Sequence, residues 1–202
     1  MQRIGGKPAA TRRNHQYQRR LSSILKAASS VIARDGFEGA SVRAVAARAK
    51  VGLSSIYYYF NNKDELLYAL QHHTFSTLLD TLAERLQDVS EPEARLQLVV
   101  DNHFEFFAHH LDELKVCVHE IESLSGKYYK DILAIRQAYY RLVRSVVAEH
   151  ASSRNQDPDV ATLFLFGALN WVYMWYDPNI NTDLQKLSGQ FGQLISNGIK
   201  AT

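Results

Sequence analysis

Apolar side chains recur at helical spacing near the start of the chain. In the first segment they fall at offsets of 0, 3, 4, 7 and 11, in Leu21, Ile24, Leu25, Ala28 and Ile32. This spacing places them on one face of a helix. Gly36 follows as a C-terminal stop, because glycine tolerates a positive φ. The pattern predicts a first helix that begins near Tyr17 and ends before Gly36.

Three further short helical patterns follow closely. Ser41 is a good N-cap for a second helix, which repeats the spacing 0, 3, 4, 7 in Val42, Val45, Ala46 and Ala49. A third helix is predicted from about Leu53 to Tyr59. A fourth begins near Asn62, with acidic residues in its first turn, where the helix dipole favours negative charge. Two short helices joined by a tight break are typical of a helix-turn-helix unit.

The rest of the chain contains longer helical segments with short breaks. The breaks lie at residues 90–93, 125–126, 157–159 and 177–179, and a final helix is predicted for 182–199. No run of alternating β-branched residues competes with these assignments. We therefore predict an all-α protein of about nine helices. Residues 1–16 form a flexible basic arm, 17–62 a three-helix helix-turn-helix head, and 63–202 a larger helical body.

Charge divides the chain in the same place. Up to Lys63 there are twelve Lys and Arg residues and two acids, whereas the remainder holds 11 bases and 19 acids. A basic head joined to an acidic body indicates a nucleic-acid face on the head. The single cysteine, Cys117, excludes an intrachain disulfide. With no apolar signal segment or membrane-spanning run, we expect a cytoplasmic protein.

The third helix carries the candidate DNA-reading surface. Ile56 and Phe60 are four residues apart and should anchor it in the core, so that Ser54, Ser55 and Tyr58 project outward. Short hydroxyls can approach base edges or phosphates, and tyrosines reach backbone oxygens. The alternative is that the tyrosines belong to a core or an interface. The flanking helix, the turn and the charge division favour DNA.

Residues 20–67 resemble the DNA-binding head of the TetR family of bacterial repressors, and residues 44–66 carry the likeness. The resemblance implies an all-α homodimer in which 17–62 is the helix-turn-helix DNA-binding domain and 63–202 is the domain for effector binding and dimerisation. It implies phosphate contacts by Ser41, Arg43, Ser55, Tyr57, Tyr59 and Lys63, and base contacts by Leu53, Ser54 and Tyr58. Lys50, Gly52 and Ser54 depart from the usual pattern: Lys50 replaces a common glycine, Gly52 a capping serine and Ser54 a frequent glycine.

The segment 160–176 is apolar nearly all round. One stripe comprises Val160, Leu163, Phe164, Gly167, Trp171 and Trp175, and a second comprises Leu165, Leu169, Val172 and Tyr176. A helix with two apolar faces must be covered on two sides. The final helix adds Leu184, Leu187, Phe191, Leu194 and Ile195, with Gly189 and Gly192 permitting close approach. We expect a two-fold four-helix dimer interface.

Residues 168–171 and 175–178 are similar to a subset of the family that responds to acyl-coenzyme A thioesters. The effector candidates are His103, Phe107, Arg136, Tyr139, Asn170, Trp171 and Trp175. Lys127, Lys130, Arg136, Arg141 and Arg144 gather on one helix, where they suit the phosphates of coenzyme A. Alternatively the aromatics fill the dimer core, and the bases pair with Glu120, Glu122 or Asp131.

The combined interpretation is a ligand-responsive repressor that binds a palindromic operator as a dimer and is released by a small hydrophobic or acyl-CoA-type effector. One alternative is an all-α enzyme with a pocket around His103 and Glu120; another is a non-specific DNA-binding protein. His119 and Glu120 begin a zinc-protease motif, but Ser123 stands where its second histidine should be. No phosphate loop or nucleophile elbow appears. We therefore predict no metal, cofactor or catalytic residue.

Overall fold

The computed structural model describes residues 9–151, 157–177, 179–180 and 183–199. Nine α-helices and one 3₁₀ turn form this described part, which contains no strand. The chain divides into two compact units, residues 1–70 and 71–202. The predicted all-α class is confirmed. The division falls eight residues later than the boundary expected at 62/63, so that the first unit includes the buried Leu66, Leu67 and Leu70.

The first unit contains α1 (Ala9–Gly39), α2 (Val42–Ala49), α3 (Leu53–Tyr59) and the beginning of α4 (Lys63–Arg85). Helix α1 begins at Ala9, so residues 9–16 of the expected arm are helical; residues 1–8 lie outside the described part. Gly36, with φ 72° and ψ 163°, breaks the helical geometry as predicted. The core of this unit is formed by residues that include Ile24, Ala28, Ile32, Val45, Ile56 and Phe60.

The turn between α2 and α3 is set by two residues. Lys50 ends α2 in the left-handed conformation, with φ 55° and ψ 43°, and its N–H reaches the carbonyls of Ala46 and Ala47. It is the one non-glycine residue of positive φ in the described chain. Gly52 then occupies the N-cap of α3 without a side-chain hydrogen bond. The glycine expected at position 50 is thus replaced without loss of the turn, at some conformational cost to the lysine.

The second unit contains the rest of α4, α5 (Pro92–Ala108), α6 (Leu111–His119), α7 (Gly126–Ala151), α8 (Pro158–Asn170), a 3₁₀ turn (Trp171–Met174) and α9 (Leu184–Ile199). Helix α5 contacts α6, α7, α8 and α9. Its buried residues join a core whose members include Val99, Val100, Phe104, Phe107, Val143, Val147, Leu165 and Leu169. Asp157 caps α8 by accepting a hydrogen bond from the Asp159 N–H at 2.8 Å.

The two apolar stripes of segment 160–176 lie in different environments. Leu165, Leu169 and Val172 are buried, whereas the other stripe is exposed, with Leu163 at 63% and Phe164 at 62%. We call this surface the α8 stripe; it comprises Val160, Leu163, Phe164, Gly167, Trp171 and Trp175. Helix α8 ends at Asn170, before the predicted helix does, and the 3₁₀ turn follows. A two-faced apolar segment is therefore confirmed.

Much of the apolar face of helix α9 packs against its own unit, and the four-helix dimer interface stays a prediction. Ile195 is buried, and Leu184, Leu187 and Phe191 pack against the core cluster. Of the five predicted interface residues, Leu194 alone is strongly exposed. A Cβ at Gly192 would overlap the Gln97 side-chain amide of α5, whereas a Cβ at Gly189 would meet nothing within 4 Å. The close approach at Gly192 is thus to α5 of the same chain.

No helix in the described ranges is long and apolar enough to cross a membrane.

Candidate DNA-reading helix and ligand cavity

Helix α3 is held against the core by two buried residues, and its opposite face is exposed. Ile56 is 1% exposed and Phe60 is also buried, as their spacing predicts. Tyr58 is 75% exposed, and Ser54 and Tyr57 are exposed as well. Leu53, Ser55 and Tyr59 are half-buried. The arrangement leaves hydroxyl groups available along a helix whose opposite side is fixed in the core.

Tyr59 is packed among aromatic rings rather than fully presented to solvent. Its ring centroid lies 4.8 Å from that of Tyr17 on α1 and 5.1 Å from that of Tyr58. Burial raises the pKa of the Tyr59 phenol, with a smaller contribution from Tyr17. The phenol therefore stays a hydrogen-bond donor at neutral pH. The sequence argument missed Tyr17, because its contact joins residues more than forty positions apart.

Two predicted phosphate contacts have partners inside the head. The Lys63 ammonium donates a hydrogen bond to the Phe37 backbone carbonyl at 2.7 Å and lies 4.2 Å from the centre of the Phe37 ring. The Ser41 hydroxyl accepts a hydrogen bond from the Ala44 N–H at 3.1 Å, as an N-cap. Arg43, by contrast, is exposed at the start of α2. Lys63 is thus the candidate whose charge is least available to DNA.

The second unit contains a cavity of about 500 Å³. Five of the seven effector candidates line it: His103, Phe107, Arg136, Tyr139 and Asn170. Trp171 and Trp175 do not line it; both are exposed, and the Trp175 ring stacks on that of Phe191 with the centroids 6.3 Å apart. The other lining residues, which the sequence argument did not select, are Phe75, Leu78, Leu114, Cys117, Val118, Ile121, Leu133, Gln137, Tyr140, Leu163 and Phe166.

Most polar groups in the cavity wall are uncharged. Burial lowers the pKa of His103 to about 3, and the Leu169 backbone offsets only part of this effect. The imidazole is therefore neutral at physiological pH, with its ring 4.7 Å from that of Phe107. Burial also raises the pKa of the Cys117 thiol to about 12, so the thiol stays protonated. The cavity offers polar contacts without a base or a nucleophile.

The alternative enzyme site is not assembled. Glu120 does not line the cavity; its carboxylate accepts a hydrogen bond from the Ser123 hydroxyl at 2.7 Å. His103, with its strongly lowered pKa, is a poor general base at neutral pH. Within the described chain no cluster of three or more histidine, cysteine or acidic residues could hold a metal ion.

The bases of α7 have separate environments. Arg144 forms a two-pronged ion pair with Asp159, at 2.5 and 2.9 Å, and Arg136 lines the cavity. Lys127, Lys130 and Arg141 are exposed. No described ion pair joins any of these bases to Glu120, Glu122 or Asp131. Of the five bases on α7, one thus lines the cavity, one forms a surface ion pair and three are exposed.

A helix-turn-helix head and a helical unit with a ligand-sized cavity define the class of protein: a ligand-responsive DNA-binding transcriptional regulator. Residues 24–70 match the family model described as bacterial regulatory proteins, tetR family. Residues 89–199 match the tetracyclin repressor-like C-terminal domain. The chain belongs to the tetR family of bacterial regulatory proteins.

Particular relatives extend over almost the whole chain. The fatty acid metabolism regulator protein of Bacillus subtilis is 25% identical over 189 residues, covering 91% of this chain and 97% of the relative. The structure of FadR from Bacillus subtilis with stearoyl-CoA has a TM-score of 0.69 at 24% identity, covering 88% and 98% of the two chains. AibR with isovaleryl coenzyme A and operator DNA has a TM-score of 0.75 at 22% identity, covering 87% and 97%. The two solved structures share the fold of this chain.

Proposed function

We propose that this regulator is a repressor that binds a palindromic operator as a homodimer and is released by a small hydrophobic or acyl-CoA-type effector. The observation that carries the DNA-binding part is the exposure of Tyr58 on a helix whose Ile56 is fully buried. Heads of this kind place successive recognition helices about 34 Å apart, one turn of DNA.

Within this proposal the side chains of α3 and of the start of α2 contact different parts of the duplex. Leu53, Ser54 and Tyr58 meet base edges, and Arg43, Ser41, Ser55 and Tyr57 meet phosphates. The exposure of Ser54, Tyr57, Tyr58 and Arg43 supports these roles. Tyr59 and Lys63 contribute by holding neighbouring helices against α1. The Tyr59 ring, at the end of α3, packs against the Tyr17 ring of α1. The Lys63 ammonium, at the beginning of α4, donates a hydrogen bond to the Phe37 carbonyl of α1.

The dimer is proposed to form through the α8 stripe. Exposed apolar side chains of this size, grouped on one helix, mark an interaction surface. A second copy of the chain is the occupant, because a two-fold interface buries the same stripe from both subunits. Leu163, Phe164 and Trp171 then lie at its centre.

The effector is proposed to occupy the cavity of the second unit. A volume of about 500 Å³ is within the range of small-molecule sites, and its wall is largely apolar. The fatty acid regulator of Bacillus subtilis and AibR, whose structures contain stearoyl-CoA and isovaleryl coenzyme A, support an acyl group as the apolar part. Release from DNA requires a coupling of only about 1–3 kcal/mol between effector and operator.

The test measures operator binding directly. Duplexes selected by the purified protein from a random library provide the operator, and fluorescence anisotropy gives the affinity. We expect Tyr58→Ala to weaken binding to the selected duplex at least tenfold, with little change on an unrelated duplex. Tyr129→Ala, which removes an exposed tyrosine from α7, is the matched control and should leave binding intact. Selection of no common sequence, or equal affinities for wild type and Tyr58→Ala, would refute the proposal.

A further inference from the structure

Arg136 is the one charged side chain among the residues that line the cavity. The lining contains no aspartate or glutamate. Its other polar members are His103, whose imidazole is neutral at physiological pH, and uncharged hydroxyl, amide and thiol groups. A ligand that fills this space therefore meets a single fixed positive charge in an apolar wall.

The Arg136 guanidinium has no acidic partner in the part of the chain that the structure describes. The arginines at 34, 85, 95 and 144 each form an ion pair with a carboxylate, but Arg136 forms none. Its guanidinium carbon lies 5.4 Å from the centre of the Phe75 ring. Burial lowers its pKa, which means that the charged form is disfavoured where it stands. Arg144, two turns further along α7, forms an ion pair with Asp159, so an arginine on this helix can have a carboxylate partner.

An unpaired charge in an apolar wall costs free energy, and a bound anion would offset that cost. A guanidinium presents a planar fork of N–H donors that fits a carboxylate with two parallel hydrogen bonds. His103 and Tyr139 also line the cavity. The Leu169 backbone lies near the imidazole and the Asn102 side chain near the phenol, but neither contact is a well-formed hydrogen bond, so both side chains can contact the oxygen atoms of a ligand. The wall thus combines one anion-binding group with two neutral polar groups.

We propose that the effector is an amphipathic organic acid whose carboxylate pairs with Arg136 inside the cavity while its apolar skeleton fills the rest. This inference rests on the proposed ligand-binding role of the second unit and narrows the class of effector. An acyl-coenzyme A thioester has its negative charges on the nucleotide end, away from the acyl chain. The thioester itself is neutral. An acid held at Arg136 is therefore a different ligand from a thioester whose acyl chain alone enters the cavity.

Matched anionic and neutral probes test the inference by direct binding, without DNA. The pairs are 8-anilinonaphthalene-1-sulfonate with N-phenyl-1-naphthylamine, followed by fluorescence, and decanoate with decanol, followed by calorimetry. A charge-assisted hydrogen bond to an otherwise unpaired arginine predicts that each anion binds about tenfold or more tightly than its neutral partner. Arg136→Gln should abolish that difference and leave the neutral probes almost unchanged.

Two further variants make the result specific. Arg141→Gln removes an exposed charge from the same helix outside the cavity lining and should retain the preference for anions. Arg136→Lys should retain part of it, because the charge remains while the fork is lost. Thermal unfolding of each variant without ligand establishes that it is folded. Equal affinities of wild type for the anionic and neutral probes, loss in Arg141→Gln instead of Arg136→Gln, or no binding of any probe would overturn the inference.

Failure of this inference is distinguishable from failure of the proposed function. Decanoyl-coenzyme A that releases operator equally well from wild type and from Arg136→Gln would leave the repressor role intact and refute the carboxylate assignment. A protein that selects no duplex would refute the repressor role, whereas the probe comparison would still decide what the cavity binds.

Discussion

The Lys63 ammonium donates a hydrogen bond to the Phe37 carbonyl at 2.7 Å and lies over the ring of the same residue. One side chain thus joins the first turn of α4 to the end of α1, 26 residues earlier. The contact brings a charged donor to a carbonyl near the end of α1. It gives Lys63 a role in the stability of the head.

We expect Lys63→Met to destabilise the head by about 1–2 kcal/mol, the range for a partly buried hydrogen bond from a charged group. Denaturation in urea measures the loss. The salt dependence of operator binding should change little, because the Lys63 ammonium is hydrogen-bonded to the Phe37 carbonyl and is not directed at a phosphate. Arg43→Gln is the contrasting variant: it should reduce the slope of log K against log salt by about one, with stability unchanged. A reduced slope in Lys63→Met would instead establish a phosphate contact.

Lys50 holds a left-handed backbone conformation that glycine adopts without strain. Lys50→Gly should therefore stabilise the protein by about 0.5–1 kcal/mol relative to Lys50→Ala, which loses the same charge but keeps the strained Cβ. Urea denaturation of the two variants isolates the backbone effect. Equal stability of Gly and Ala at this position would contradict the left-handed turn.

Gly192 and Gly189 lie one turn apart on α9 and predict opposite results on substitution. Gly189→Ala faces open space and should stabilise the helix by about 0.5–1 kcal/mol. Gly192→Ala should be at least about 1 kcal/mol less favourable, since its methyl group displaces Gln97, whose amide donates to the Ser188 carbonyl and to Asp101. Repeating both substitutions in a Gln97→Ala background should remove most of the difference. A difference that persisted there would place the obstruction elsewhere.

The buried His103 predicts how stability changes in mild acid. Its folded pKa of about 3 lies below the ordinary value of 6.5, so between these values the unfolded chain binds the extra proton. Stability is therefore retained above about pH 6.5 and falls on acidification, by roughly 1 kcal/mol per pH unit between pH 6 and pH 4. Denaturation at pH 7 and pH 5 measures the fall, and His103→Gln should show a correspondingly shallower dependence. An unchanged slope would mean that the histidine is solvated.

The α8 stripe predicts the assembly state. Phe164→Glu places a charge on a strongly exposed apolar surface and should convert a dimer into monomer in analytical ultracentrifugation at micromolar concentration. Tyr129→Glu on α7 serves as the control for an added charge at an exposed aromatic position and should sediment as wild type does. A wild-type protein that sediments as a monomer would remove the proposed interface.

Local periodicity predicted those features that depend on neighbours within a few residues. The seating of Ile56 and Phe60 and the two stripes of segment 160–176 follow from helical spacing, and the break at Gly36 follows from the conformational freedom of a single glycine. Tertiary partners do not follow in this way. The contact of Tyr17 with Tyr59, and of Gly192 with Gln97, join elements distant in sequence.

The candidate sites divide along the same line. His103, Phe107, Arg136 and Tyr139 were selected because helical phase or charge drew attention to them, and all four line the cavity. Asn170 and the two tryptophans were selected from a family resemblance; Asn170 lines the cavity, whereas the tryptophans lie on the exposed stripe. Hydrophobicity alone does not tell a helix face that encloses a ligand from one that awaits a partner.

Leu163 borders the cavity and also belongs to the exposed α8 stripe. The Leu163 side chain therefore contacts the interior space and is also exposed on the outer surface of α8. A ligand in the cavity would contact Leu163 from the inside, and a second subunit on the α8 stripe would contact the same leucine from the outside. Ligand binding would then act on the proposed dimer interface directly through Leu163, without a conformational change transmitted along the helices.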